Sequence, residues 1–234
     1  MRVAGRITGQ ILREMKERVK PGVTPVELDE FAKRRCRELG AIPAFKGYRG
    51  FPASVCISVN DEVVHTIPNK RQFQPGDLIK LDFGVSVGGY YGDSADTVYL
   101  PPISEEHLKL VAATQHALDS AIQTLCDGNK LSRVGYTVEA IAKRNNLAVI
   151  HNLCGHGIGK ALHEDPPVLN FGAKGEFHVQ AGMTFAIEPI LAIGTGEIVQ
   201  LADGWTIKTK DGGYAAHTEH TILITNDRPE ILTL

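Results

Sequence analysis

Four carboxylates and one histidine stand where two matching stretches of this chain would bring them together. Asp82 follows Gln74-Pro75-Gly76 by eight residues, and Glu188 follows Gln180-Ala181-Gly182 by the same eight. Cys56, His65 and Pro68 return as Cys154, His163 and Pro166, each 98 positions later. Each stretch carries a second acid further on: Asp93 in Gly92-Asp93-Ser94-Ala95-Asp96, and Glu219 in His217-Thr218-Glu219-His220. Several matches in one order point to an internal duplication whose polar residues face one shared site.

The surroundings of these residues indicate the chemistry. Strand alternation in Leu78 to Val85 sends Ile79, Leu81, Phe83 and Val85 to one face and Asp82 to the other. Glu188 opposes Met183, Phe185 and Ile187 in the same way. Such an acid either lies on a half-wet outer face or is buried, and a buried one needs a partner or a metal. Two acids at matched positions favour burial. Asp96, a rival for Asp93, falls on the opposite strand face; His217 shares the face of Glu219, and His220 does not. His156 sits in Cys154-Gly155-His156-Gly157-Ile158-Gly159, where glycines let the backbone crowd a centre. His163-Glu164-Asp165-Pro166 begins seven residues after it. The chain has neither a Gly-x-Ser-x-Gly elbow nor a His-Glu-x-x-His pair. Four carboxylates cannot share a pocket as bare anions, because like charges raise one another's pKa. Two divalent cations would neutralise Asp82, Asp93, Glu188 and Glu219, with His156 as the nitrogen donor. Mn, Fe(II), Co or Zn suit such a set. Two ions about 3.5–4 Å apart are a known hydrolytic device.

The elements that must position these residues are legible from periodicity and punctuation. Val3, Ile7, Ile11, Met15 and Val19 recur at helical spacing, and Pro21-Gly22 is expected to stop that helix. Thr24, Pro25 and Glu27 form a capping-box pattern for a second helix that turns Leu28, Phe31 and Leu39 inward and ends at Gly40. Strands are expected at Ser54 to Val59 and Val63 to Ile67, followed by a hairpin of Leu78 to Val87 and Tyr90 to Leu100 about Gly88-Gly89. Ser104 caps a long helix with Glu105 and Glu106 in its first turn. A shorter helix is expected around Val138 to Asn145, and strands continue through Thr225. Each half reads helix, helix, strands, which is the order of an α+β fold with helices on one face of a largely antiparallel sheet.

The 234 residues are long enough for one core, so a single domain with halves of about 1–100 and 101–234 is expected. A net charge of -2 gives no reason to expect a nucleic-acid or membrane partner. The basic run Lys33-Arg34-Arg35 with Arg37 reads as a solvated helix face. No apolar run approaches the ~20 residues of a spanning helix, and Met1 to Gln10 has no apolar signal core. Cys36, Cys56, Cys126 and Cys154 lack metal-type spacing and read as reduced thiols of a cytoplasmic protein.

Taken together, these residues resemble the type I methionine aminopeptidases. The resemblance runs from Arg2-Val3-Ala4-Gly5-Arg6 to Thr218-Glu219-His220-Thr221. Between them it rests on Gly47-Tyr48, Phe51-Pro52, Ser54 to Ser58, Cys154 to Gly159, and Met183 to Pro189. It implies the pita-bread fold, with two pseudo-twofold-related halves. It also implies two divalent metal ions, with Asp93 and Glu219 bridging, Asp82 completing one, and His156 with Glu188 completing the other. A water activated by them would attack the first peptide carbonyl, with Glu188 as general base. His163 would stabilise the oxyanion, and His65 would contact the scissile amide. Tyr48, Phe51, Cys56 and Trp205 would form the methionine pocket, with His65 at its edge. The implied partners are nascent polypeptide N-termini bearing a small second residue, and the implied state is a monomer. A transient ribosome contact would use the Lys33 to Arg37 face.

The chain departs from the family pattern at Phe45, Arg49, Thr66 and Thr218. It also begins where many members have more of the first helix. An aminopeptidase P or prolidase would share the ligands but usually carries an extra N-terminal domain. A type II enzyme carries a late insertion, for which the stretch from His163 to Glu188 has no room. A non-catalytic protein of this fold would have lost ligands.

Overall fold

The computed structural model describes residues 1–234. The first half comprises α1 (Arg2–Lys16), α2 (Pro25–Glu38), β1 (Ile42–Pro43), β2 (Cys56–Val59), β3 (Glu62–Val64), β4 (Leu78–Val87) and β5 (Tyr90–Tyr99). The second opens with α3 (Glu105–Gln123), α4 (Arg133–Arg144), β6 (Ala148–Val149), β7 (Cys154–Gly157), β8 (Glu164–Leu169) and β9 (Thr184–Ile187). It ends with β10 (Ile190–Ala192), β11 (Ile198–Gln200), β12 (Ile207–Thr209), β13 (Ala215–His217), β14 (Glu219–Leu223) and β15 (Glu230–Ile231). A short 3-10 turn, Tyr48–Gly50, lies between β1 and β2.

The main sheet is antiparallel throughout, and its central order is β2-β4-β5-β14-β9-β7. That order is a palindrome. β2, β4 and β5 of the first half mirror β7, β9 and β14 of the second about the β5–β14 seam. The duplication read from sequence is thus a pseudo-twofold in the sheet, as the pita-bread expectation requires. Ile11, Met15 and Leu28 of α1 and α2 bury against Ile79, Leu81 and Phe83 of β4. Leu110, Leu118, Val134 and Val138 of α3 and α4 do the same against Phe185, Ile187 and Ile222. Burying each such side chain contributes roughly 1.5–3 kcal/mol. Both helix pairs cover the same sheet face, which leaves the other face for Asp82 and its neighbours.

Caps and turns fall where the residue types put them. Thr24 donates its backbone N–H to Glu27 Oε2 at 2.7 Å, and Glu27 N–H returns to Thr24 Oγ1 at 3.3 Å. Ser104 Oγ accepts from His107 N–H at 3.2 Å. Gly88 and Gly89, at φ 57° and 79°, close the two-residue β4–β5 hairpin.

Four elements differ in their bounds from expectation. α1 stops at Lys16, and Val19 reaches the core from the turn that follows. α4 begins at Arg133, five residues before Val138, because Val134 and Val138 are both fully buried at helical spacing. Gly135 within it weakens an isolated helix, but here the Phe171 carbonyl oxygen lies 2.1 Å from where a Cβ would sit. β2 and β3 are shorter than expected and belong to different sheets: β2 pairs with β4, and β3 pairs with β12. The basic run of α2 is largely neutralised. Lys33 pairs with Glu30, Arg34 with Glu38, and Arg35 with Glu14 and Glu38. No helix is long and apolar enough to cross a membrane.

Candidate metal centre and substrate pocket

Five neighbouring strands each bring one ligand candidate to the face opposite the helices. Asp82 comes from β4, Asp93 from β5, Glu219 from β14, Glu188 from the residue after β9, and His156 from β7. Register aligns them: Asp82 and Glu219 both stand opposite Ala95, and Asp93 is two residues along β5 from it. Across the seam between the halves, hydroxyls strengthen a ladder with only two paired positions. Thr221 Oγ1 accepts from Asp93 N–H at 2.9 Å and donates to Asp93 C=O at 2.7 Å. Ser94 Oγ donates to the Glu219 carbonyl at 2.7 Å.

The five side chains lie in a poorly solvated cluster. Relative exposures are 9% for Asp82, 4% for Asp93, 8% for His156 and 2% for Glu219. The Glu188 side chain is 14% exposed. Burial raises every one of the four carboxyl pKa values. Repulsion from Asp93 adds to the shift at Asp82, and that from Asp82 and Asp93 adds to the shift at Glu188. Asp93 itself is pushed up to about 7. Asp93 Oδ1 and Glu219 Oε1 are buried without a hydrogen-bond partner. His156 Nδ1 lies 2.8 Å from the Gly157 carbonyl, so this nitrogen carries the proton and the Nε2 lone pair points at the cluster. Ligand atoms of Asp93, His156 and Glu219 lie within 4.8 Å of one another. Orphaned carboxylate oxygens, a tautomer-fixed imidazole and four mutually repelling acids are the donor set of a divalent cation site. The residues fit the ion.

The same cluster forms one wall of a cavity of about 170 Å³. All eleven site residues expected from sequence line it: the five ligand candidates with His65, His163, Tyr48, Phe51, Cys56 and Trp205. Its volume is well below the ~300–1,000 Å³ of a drug-sized pocket and suits one side chain. Phe51 meets Trp205 edge-on at 5.1 Å between centroids, a surface a thioether packs well against. A larger, more open groove of about 790 Å³ lies by Met1, Tyr90 and Phe177. None of the five ligand candidates lines it, so size alone does not locate the chemistry.

The match of metallopeptidase family M24 over residues 1–226 decides the family. The chain belongs to the M24 metallopeptidases. It is 42% identical to a methionine aminopeptidase of Clostridium perfringens, over all of this chain and 94% of that protein. The crystal structure of a methionine aminopeptidase from Thermotoga maritima superposes with a TM-score of 0.97 at 39% identity, covering all of this chain and 94% of that one. A prolidase from Pyrococcus furiosus shares the fold, with a TM-score of 0.79 at 19% identity over 62% of its length.

The two further histidines of this M24 peptidase also line the cavity. His65 has φ 60°, a backbone state rare outside glycine and found where a site over-determines it. Burial lowers its pKa, so it is neutral at physiological pH. His163 Nδ1 lies 2.8 Å from the Tyr48 hydroxyl, and its ring lies 4.2 Å from that of His156. Desolvation, then repulsion from His156, Arg49 and His65, holds it neutral as well. Tyr48 is therefore shared between the pocket wall and a histidine, a link its position in a Gly-rich loop did not reveal. Leu162 closes the pocket beside Phe45 and was missed, because a lone leucine carries no signal. Trp205→Ala opens the pocket and should raise KM for a Met-Ala-Ser peptide about tenfold with a smaller change in kcat; steady-state kinetics will check the split.

Proposed function

We propose that this M24 peptidase is a methionine aminopeptidase. It removes the N-terminal initiator methionine of nascent proteins and peptides, preferring a small second residue. We further read it as a cytoplasmic monomer with one catalytic domain. The observation that carries the reading is the shared cavity, in which a carboxylate cluster forms one wall of an aromatic pocket of single-side-chain size.

Asp82, Asp93, Glu219, Glu188 and His156 would hold two divalent ions, for which Co, Mn, Fe(II) and Zn all suit the donors. Such ions, when bound, neutralise the cluster and lower the pKa of a water. Glu188 takes the proton of the attacking water as its oxygen bonds to the first carbonyl carbon. Glu188 then returns that proton to the amine as the C–N bond breaks. His163 donates through Nε2 to the carbonyl oxygen as negative charge develops, because the Tyr48 hydroxyl occupies Nδ1. His65 contacts the scissile amide and helps the amine leave. Phe51, Cys56 and Trp205, with Tyr48, hold the methionine side chain and exclude water. A second residue must pass between His65, His163 and the carboxylates, which favours a small one.

His163→Ala should lower kcat by about 10²–10³, and Tyr48→Phe by about tenfold through loss of one hydrogen bond. Both are measured on Met-Ala-Ser. The substrate class is tested by a panel of Met-Ala-Ser, Leu-Ala-Ser and Ala-Pro-Ser. Preference for the methionine peptide supports the reading, and turnover of the proline peptide alone would overturn it in favour of prolidase-type chemistry. A ribosome contact through the Lys33 to Arg37 face belongs to the same proposal. Charge reversal there that left ribosome co-sedimentation unchanged would remove it.

A further inference from the structure

His217 is fully inside the molecule, 2% exposed, with both ring nitrogens buried and without a hydrogen-bond partner. Its backbone is fixed on both sides by one side chain: His217 N–H donates to Thr97 Oγ1 at 2.9 Å, and Thr97 Oγ1 donates to the His217 carbonyl at 2.7 Å. Pairing of β13 with β10 sets Ile190 opposite it. The ring is thereby held on the ligand face. Its Nε2 lies 3.7 Å from Glu188 Oε2 and 3.9 Å from Glu219 Oε2.

The two oxygens of Glu188 are thus divided between two imidazoles. Oε1 faces His156 Nε2 at 3.6 Å, and Oε2 faces His217 Nε2 at 3.7 Å. His156 binds the Gly157 carbonyl through Nδ1, which frees its Nε2 lone pair for a metal. Nothing accepts a proton from His217 Nδ1, and the groups in front of its Nε2 are two acceptors. A closure of about 0.7–0.9 Å would bring an Nε2–H into hydrogen-bond range of either carboxylate.

We propose that His217 is a positioning residue: its Nε2–H hydrogen-bonds the outer oxygens of Glu188 and Glu219 and presents their other oxygens to the divalent ions. This rests on Glu188 and Glu219 being metal ligands. Outer donors of this kind change metal affinity about 10–100-fold.

The test is cobalt(II) titration of the metal-stripped full chain, followed by calorimetry and visible absorption, on wild type, His217→Gln, His217→Asn and His217→Leu. Gln places an amide N–H near the Nε2 position, whereas Asn reaches only the Nδ1 position. His217→Gln is expected to bind cobalt within about threefold of wild type. His217→Asn and His217→Leu are expected to bind it about 10–100-fold more weakly. The two amide variants keep a buried polar group of similar size, so the comparison stands even if the Leu variant does not fold. Cobalt affinity of His217→Asn equal to wild type overturns the proposal. A loss in His217→Gln as large as in His217→Asn also overturns it, since the ring itself would then be required, as for a direct ligand. Wild-type protein that takes up no cobalt overturns the ligand reading, and this proposal with it.

Discussion

Glu188→Gln lowers kcat on Met-Ala-Ser by about 10³–10⁴ and changes KM by no more than a few-fold. The amide keeps the shape of the side chain but has neither the charge nor the basicity of the carboxylate. Glu188 is placed for proton transfer by its own backbone, because Asn170 Nδ2 donates to its carbonyl at 2.9 Å. Its carboxylate sits between His156 and His217 at 3.6 and 3.7 Å. The methionine pocket is built from other residues, so substrate affinity is retained. The fold is retained too, since one of four repelling buried acids has been neutralised. A loss under tenfold, measured by steady-state kinetics on protein of confirmed metal content, would remove Glu188 from the role of base.

Asp93→Asn is expected to abolish turnover to below about 10⁻⁴ of wild type and to stabilise the metal-free protein in a pH-dependent way. Asp93 is one of three ligand candidates whose donor atoms lie within 4.8 Å of one another, and its Oδ1 has no other partner. Its folded-state pKa, raised to about 7 mainly by burial, exceeds the ~3.9 of an unfolded aspartate. Below both values the group is neutral in either state and its ionisation does not affect stability. Between them the unfolded chain releases the proton while the folded chain retains it, so stability falls as pH rises. Above about 7 the penalty is complete. The variant lacks this group. Its metal-free Tm should match wild type near pH 4 and exceed it by on the order of 5 °C near pH 7.5. Added divalent ions should reverse the order, since only wild type gains a bound, neutralised centre. Calorimetric scans with chelator and with metal check both signs; parallel curves at all pH values would show that Asp93 ionises freely.

Much of this centre was readable because its signals are local. The two Gln-x-Gly turns at Gln74 and Gln180, the period-2 apolar pattern around Asp82, and a histidine within a glycine run survive without knowledge of the partner strands. The duplication was legible as offsets, and the palindromic order β2-β4-β5-β14-β9-β7 is its spatial form. What was not legible depends on register between distant strands. Ser94 and Thr221 are ordinary strand hydroxyls until β5 is laid beside β14, when they become the clamps across the seam, and Thr97 is one until β5 meets His217 at the end of β13. Strand alternation puts His217 on the face of Glu219, but its position between two carboxylates follows only from the approach of β9. The strands at β2 and β3 read as consecutive, and their separation into two sheets is set by β4 and β12 as competing partners. Gly135 likewise has no local explanation, because the carbonyl it makes room for is 36 residues away at Phe171.

The central claim is that this cavity cleaves an N-terminal methionine in a metal-dependent reaction. It is tested most directly by stripping the full chain with chelator and resupplying Mn, Fe(II), Co or Zn singly. Free methionine released from Met-Ala-Ser is then measured by mass spectrometry. The stripped protein is expected to release none, and at least one of these ions is expected to restore release. Undiminished release in chelator, or none with any ion, would contradict it.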